Sequence, residues 1–177
     1  MSGQGFLTKF NSYIKSQGNI DWRVAAHPYN AVLTNPCAWT GEKAPHNQSA
    51  PFVTMYNLDV LTDYLASPDL LSPSGAVRTV KISELGYTSI GGEQLQAASI
   101  VYAYKVAMSN QYVDGFILSR EADHNDEIAQ GLAYGICNGD LSKKMGYGFY
   151  QRVDDPNIMA EASAIAGVDL NSLITPR

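Results

Sequence analysis

Apolar positions along the chain alternate between two periods. Phe6, Phe10, Tyr13 and Ile14 recur at helical spacing with Leu7 beside them, and Gly18 marks the end of that first helix. Residues 21–29 read as a strand, closed by Pro28, which removes a donor and restricts His27. Residues 30–51 show no period and contain Pro36, Gly41 and Pro45, so they read as a long loop, a kind that is usually functional or disordered. Residues 52–55 suggest a brief strand or a helix entry. Val60, Leu61, Tyr64 and Leu65 give a helix face, with Asn57 or Asp59 as its cap. Residues 67–75 form a loop. Val77, Val80 and Ile82 then make a short strand, and Gly86 turns the chain away, leaving Glu84 near the strand's C-terminal end. A helix over Glu93–Met108 follows, with Leu95, Ala98, Tyr102 and Val106 facing inward. Residues 113–120 are a third strand, apolar enough to be buried on both faces. In residues 121–138 a short helix fits around Ile128 and Leu132, while Gly131, Gly135 and Gly139 oppose a long one. Residues 147–150 are a brief helix or an extended piece, and residues 157–167 are Ala-rich and helical.

Helix and strand alternate, which predicts parallel strands joined by right-handed crossovers. Three strands are well marked. The fold class is α/β, a partial TIM-barrel-like parallel arrangement of about three β/α units. Neither an internal repeat nor a linker interrupts residues 1–177, so a single domain is expected.

Composition narrows the functional classes. With 177 residues and 45% hydrophobic content the chain can bury a real core. The net charge of −5, without any basic run, argues against a nucleic-acid partner. No apolar stretch approaches the roughly 18 residues of a membrane span, so no membrane partner is expected. The opening residues lack the basic and apolar regions of a signal peptide, and the compartment stays open. Cys37 and Cys137 lie far apart with no metal-ligand spacing around them; two free thiols are expected, and no metal or cofactor is implied. Eleven tyrosines and two tryptophans suit sugar recognition but are also ordinary core residues.

The chemistry gathers at strand ends. These carry His27 with Tyr29, then Glu84, then Arg120 with Asp123 and His124. In a parallel sheet all three ends point one way, so these groups can converge on one pocket. A carboxylate flanked by tyrosine and histidine is aimed as a nucleophile must be. Arg120 suits a carboxylate ligand or a pairing with Glu84. Taken singly, His27 reads more readily as a satisfied core or edge histidine and Arg120 with Asp123 as a structural ion pair. Their shared placement is what points to a site. Trp39, in the long loop, offers with Tyr29 a surface on which a sugar ring could stack.

The ordered pieces Trp22…His27-Pro28-Tyr29, Asn57-Leu58-Asp59 and Ile82-Ser83-Glu84-Leu85-Gly86 resemble the C-terminal part of clan A glycoside hydrolases, which are (β/α)8 barrels. More narrowly, the order His-Pro-Tyr, Asn-Leu-Asp-Val-Leu-Thr-Asp-Tyr-Leu, Ser-Glu-Leu-Gly and strand-then-Arg-x-x-Asp looks like that of a little-characterised bacterial family of glycoside-hydrolase-like barrels. The resemblance runs from about Phe6 to Tyr150. It implies that Glu84 is the nucleophile at the end of barrel strand seven, that His27 and Tyr29 border it from strand six, and that residues 113–120 are strand eight. The substrate it implies is a carbohydrate, cleaved with retention. Two departures stand out. The tryptophan usual on strand eight is replaced by Ile117-Leu118-Ser119-Arg120, and the Asn-Glu pair that supplies the acid/base is missing. On this reading the chain is the last third of a barrel, inactive alone, with strand edges that invite self-association. Asp123, Glu121 and Glu42 are the candidates for a second carboxylate. A non-catalytic carbohydrate-binding barrel piece is the alternative. A flavodoxin-like domain ranks below both, because His27-Pro28-Tyr29-Asn30 lacks the glycines of a phosphate loop.

Overall fold

The computed structural model describes residues 2–177. Three short parallel strands, β1 (Val24–Ala26), β2 (Val80–Ile82) and β3 (Val113–Phe116), lie side by side in that order. The helices are α1 (Gly3–Ser16), α2 (Leu58–Leu65), α3 (Glu93–Met108), α4 (Asn125–Ile128), α5 (Met145–Gln151) and α6 (Ile158–Ala166). Two 3-10 turns, Pro68–Leu70 and Leu170–Leu173, complete the set. The expected parallel β/α arrangement is what forms.

The strands pair in register as Val24↔Val80 and Ala26↔Ile82 on one side of β2, and Val80↔Val113 and Ile82↔Phe116 on the other. Lys81 pairs with Gly115, which leaves Asp114 as an extra residue at a register shift in β3. Val80 and Ile82 are fully buried against helices, whereas Ala25 and Lys81 on the opposite face are exposed. Arg23 spans that face to Asp114 at 2.9 Å, and the Thr79 hydroxyl donates to the same carboxylate at 2.6 Å. The third strand therefore differs from expectation. It stops at Phe116, Asp114 is exposed and Ile117 is 51% exposed. Its apolar run serves one half-buried face, and the extra residue turns Asp114 to solvent. The first strand is also shorter than the apolar pattern suggested, because pairing past Ala26 ends at Pro28.

The main core lies between the sheet and α3. From Gln96 to Ala103 every residue of α3 is buried, and Leu95 is half-buried. The expected inward face of Ala98, Tyr102 and Val106 is buried, but so is the opposite side, because α5 and α6 pack over it. Ala97, Ala98, Ala103 and Ala107 keep the helix slim enough for neighbours on all sides. A smaller cluster of Leu65, Leu70 and Val80 joins α1 and α2 to the base of the sheet. There the buried Arg78 donates to the carbonyls of Leu70, Leu71 and Trp22 and to Asp21, with its guanidinium 4.2 Å from the Trp22 ring centre.

Helix α1 begins at Ser2, whose hydroxyl accepts from the Gly5 amide, and it ends as Gly18 turns left-handed with φ 104°. Of its expected apolar face Leu7 packs on the smaller cluster and Phe10 meets the Trp22 ring edge-on, while Phe6 is 58% and Tyr13 63% exposed. The helix is also tied by the buried Asn11, which donates to the Asp69 carbonyl and accepts from the Trp22 indole. Residues 30–51 have no regular structure but are firmly tied. The Ala38 amide donates to Ser99 of α3, and Asn57 donates to the carbonyls of Pro45 and Phe52. Asn57 occupies the N-cap position of α2, yet its side chain serves the loop rather than the helix. Residues 52–55 are neither helix nor strand.

Candidate functional site

Pairing continues past the formal strand ends. The Ser83 amide donates to the Ala26 carbonyl, Ile117 to Ile82, and Ser119 to Leu85. These bonds carry His27, Glu84 and Arg120 to a common rim. At Gly86 the chain passes so close to β3's continuation that a Cβ would collide with the Ser119 carbonyl oxygen and press on the Tyr134 ring. Glycine there lets the ends of β2 and β3 converge.

The cleft at this rim encloses about 250 Å³ and is lined by Tyr29, Leu33, Glu84, Ser119, Arg120, Glu127, Leu132 and Tyr134. The Tyr29 hydroxyl donates to Glu84 Oε1 at 2.8 Å. His27 Nε2 lies 3.1 Å from Ser83 Oγ, and its Nδ1 lies 4.0 Å from Glu84 Oε2, beyond hydrogen-bond range. Among the described residues Glu84 thus keeps one oxygen for a ligand, and its side chain is 46% exposed. Tyr29 stacks on Tyr134 with ring centres 5.5 Å apart and planes 18° apart. Burial, and then the bond to Glu84, push the Tyr29 phenol well above its usual range. Burial, with a smaller contribution from Glu127, pushes Tyr134 up to about 12. Both phenols are neutral donors at ordinary pH, Tyr29 to Glu84 and Tyr134 to the Leu33 carbonyl at 2.8 Å.

Arg120 reaches the cleft, but its partner is Glu127 of α4, with Arg120 Nη2 2.7 Å from Glu127 Oε1. Glu127 Oε2 is buried without a hydrogen-bond partner. With Glu84 and Glu127 negative and Arg120 positive, the lining carries one net negative charge.

Two expected site residues are placed elsewhere. Asp123 is buried in an ion pair with Lys144 at 2.5 Å, its side chain 5% exposed, and its other oxygen accepts from the Gly135 amide. With both side chains cut off from water, each charge has to be matched by the other, so Asp123 anchors the excursion after β3. Trp39 is half-buried and packs on the main core, because the Ala38–Ser99 bond holds its loop against α3. Of the other carboxylates weighed, Glu121 borders a separate depression with Phe116 and Tyr150, and Glu42 sits in the long loop beside Asn30 and Thr54. Cys37 and Cys137 are free thiols.

The pattern missed Glu127, Tyr134, Leu33, Leu132 and Ser119 as lining residues. Nothing in the acidic run 121–127 ranks Glu127 above its neighbours. Tyr134, between Gly131 and Gly135, carried the one usable signal, an aromatic in a stretch that cannot be a long helix. No helix among the described residues is long and apolar enough to cross a membrane.

No curated protein and no solved structure matches the chain. The model of one family, described only as a family of unknown function (DUF5722), matches residues 1–172, and the chain belongs to that family.

Proposed function

We propose that the cleft is the saccharide site of a glycoside-hydrolase-like β/α protein, with Glu84 as the nucleophile of retaining O-glycosyl hydrolysis. The observation that carries this reading is the Glu84 carboxylate at the end of the central parallel strand, held at one oxygen by a neutral tyrosine and open at the other. Strand ends of this kind are where β/α folds do chemistry. In retaining hydrolysis such an oxygen attacks the anomeric carbon while an acid about 5–5.5 Å from it protonates the departing oxygen. The stacked Tyr29–Tyr134 pair supplies a wall against which a sugar ring can lie, and the cleft is sized for about one ring.

The acid is the missing part. Glu127 is bonded to Arg120 and Asp123 to Lys144, so neither offers a free carboxyl group. We therefore assign this chain the C-terminal part of a (β/α)8 barrel that binds saccharide, with the acid provided by other strands. On the same observation the chain by itself binds saccharide without hydrolysing it, and Glu84 acts as nucleophile only where an acid is supplied. An assay of this chain on aryl glycosides, with Glu84→Gln beside it, tests the reading. The expected result is no turnover by either protein and saccharide binding by both; turnover that disappears in Glu84→Gln would contradict the missing acid.

A further inference from the structure

The Arg120–Glu127 pair has features that a purely structural ion pair lacks. It lines the cleft beside Glu84 instead of lying outside it. It is a close contact of Nη2 with Oε1 at 2.7 Å rather than the two parallel hydrogen bonds through which a guanidinium can hold a carboxylate. The second carboxylate oxygen of Glu127 is buried with no partner, a position that costs free energy as long as it lasts. Glu127 stands on α4, a helix of four residues none of which is buried, and its side chain keeps 28% of its exposure. A rotation of that side chain toward water relieves the stranded oxygen and bares the guanidinium. The base of the excursion stays fixed meanwhile by the Asp123–Lys144 pair and by the Ser89 amide bond to the Ala133 carbonyl.

We infer that Arg120 is the receptor for the carboxylate of an acidic saccharide, a uronate, and that Glu127 occupies this receptor in the free protein. The inference rests on the saccharide reading of the cleft and adds the class of sugar. Charge does not oppose it. Net −1 in the lining discourages an added anion, but here a ligand carboxylate replaces a protein one and the sum within the cleft is unchanged. A ligand carboxylate bound through two parallel hydrogen bonds gains over Glu127, which holds Arg120 by a single close contact. A neutral sugar gains nothing from Arg120, because the guanidinium remains occupied.

The test is calorimetric titration of the whole chain with glucuronate and galacturonate, with glucose and galactose as their neutral parents, and with succinate as a carboxylate without a sugar ring, all at matched ionic strength. The uronates are expected to bind at least tenfold tighter than their parents. Glu127→Gln should tighten the uronates several-fold by removing the internal competitor, and Arg120→Gln should abolish the preference; both side chains are partly exposed, and the former variant keeps the shape of the pair. Equal binding of acidic and neutral sugars, or weaker uronate binding by Glu127→Gln, overturns the inference and leaves the saccharide reading standing. Succinate binding as tightly as the uronates, with neither neutral sugar bound, overturns the saccharide reading and leaves Arg120 a general carboxylate receptor. Binding of none of the five overturns both.

Discussion

Replacing Lys144 by methionine should destabilise the protein by about 3–5 kcal/mol, the usual cost of stripping one partner from a buried ion pair. Lys144 Nζ lies 2.5 Å from Asp123 Oδ2 and 2.9 Å from the Ser89 hydroxyl, with the two charged side chains 2% and 5% exposed. At an effective dielectric constant near 20, charges at that separation attract by about 7 kcal/mol, against which the cost of dehydrating both is set. Lys144→Met removes the attraction and leaves Asp123 dehydrated, with the Gly135 amide as its one remaining partner. Urea unfolding followed by circular dichroism reads the loss, which corresponds to a melting temperature lower by roughly 6–20 °C for a chain of this size. If the excursion opens on its own rather than with the whole fold, hydrogen exchange at the Gly135 and Cys137 amides should accelerate about a hundredfold or more. The double variant Asp123→Asn/Lys144→Met removes both charges and keeps the acceptor for Gly135, so it should recover most of the loss. A cost under about 1 kcal/mol for Lys144→Met, or a double variant no better than the single, would refute the claim that this pair anchors the wall of the cleft.

Other consequences are open to measurement. Gly86→Ala places a methyl group against the Ser119 carbonyl and the Tyr134 ring; it should cost about 1–3 kcal/mol or more, read by denaturation, and a neutral result would mean the strand ends are not held that close. Burial raises Tyr29, Tyr87, Tyr102 and Tyr134 above the ordinary tyrosine value. Their contribution to stability is therefore complete below about pH 10, where the unfolded chain begins to ionise, and is lost as pH rises from there. An ultraviolet titration should show these phenols ionising only late or with unfolding, and ionisation of all eleven tyrosines in one ordinary step would contradict their burial. The unpaired outer edges of β1 and β3 invite pairing between copies; light scattering should show mass rising with concentration, and a constant monomer mass would exclude it.

The parts of the fold written in local periodicity were legible. The Glu93–Met108 helix carries its pattern over four turns, and the Val77–Ile82 run and Gly86 place Glu84 at a strand end. Convergence of His27, Tyr29 and Glu84 followed from parallel strands alone. What could not be read depended on contacts between distant residues. Whether α3 meets water on its outer side is decided by α5 and α6, which begin 37 and 50 residues after α3 ends. Beside Leu7 and Phe10, α1 is tied by a polar residue, Asn11, whose partners Asp69 and Trp22 no periodicity reveals. Arg120 and Asp123 stand three residues apart and read as one pair, yet each found a different partner, Glu127 and Lys144, once the excursion folded back. The same folding brought Tyr134 onto Tyr29, a contact across more than a hundred residues.

The most direct test of the proposed saccharide site is to follow backbone amide resonances while the four sugars named above are added. The account predicts shifts centred on Tyr29, Glu84, Ser119 and Tyr134, retained in Glu84→Gln because that variant keeps the shape of the cleft. Shifts confined to other surfaces, or none with any of the sugars, would contradict it.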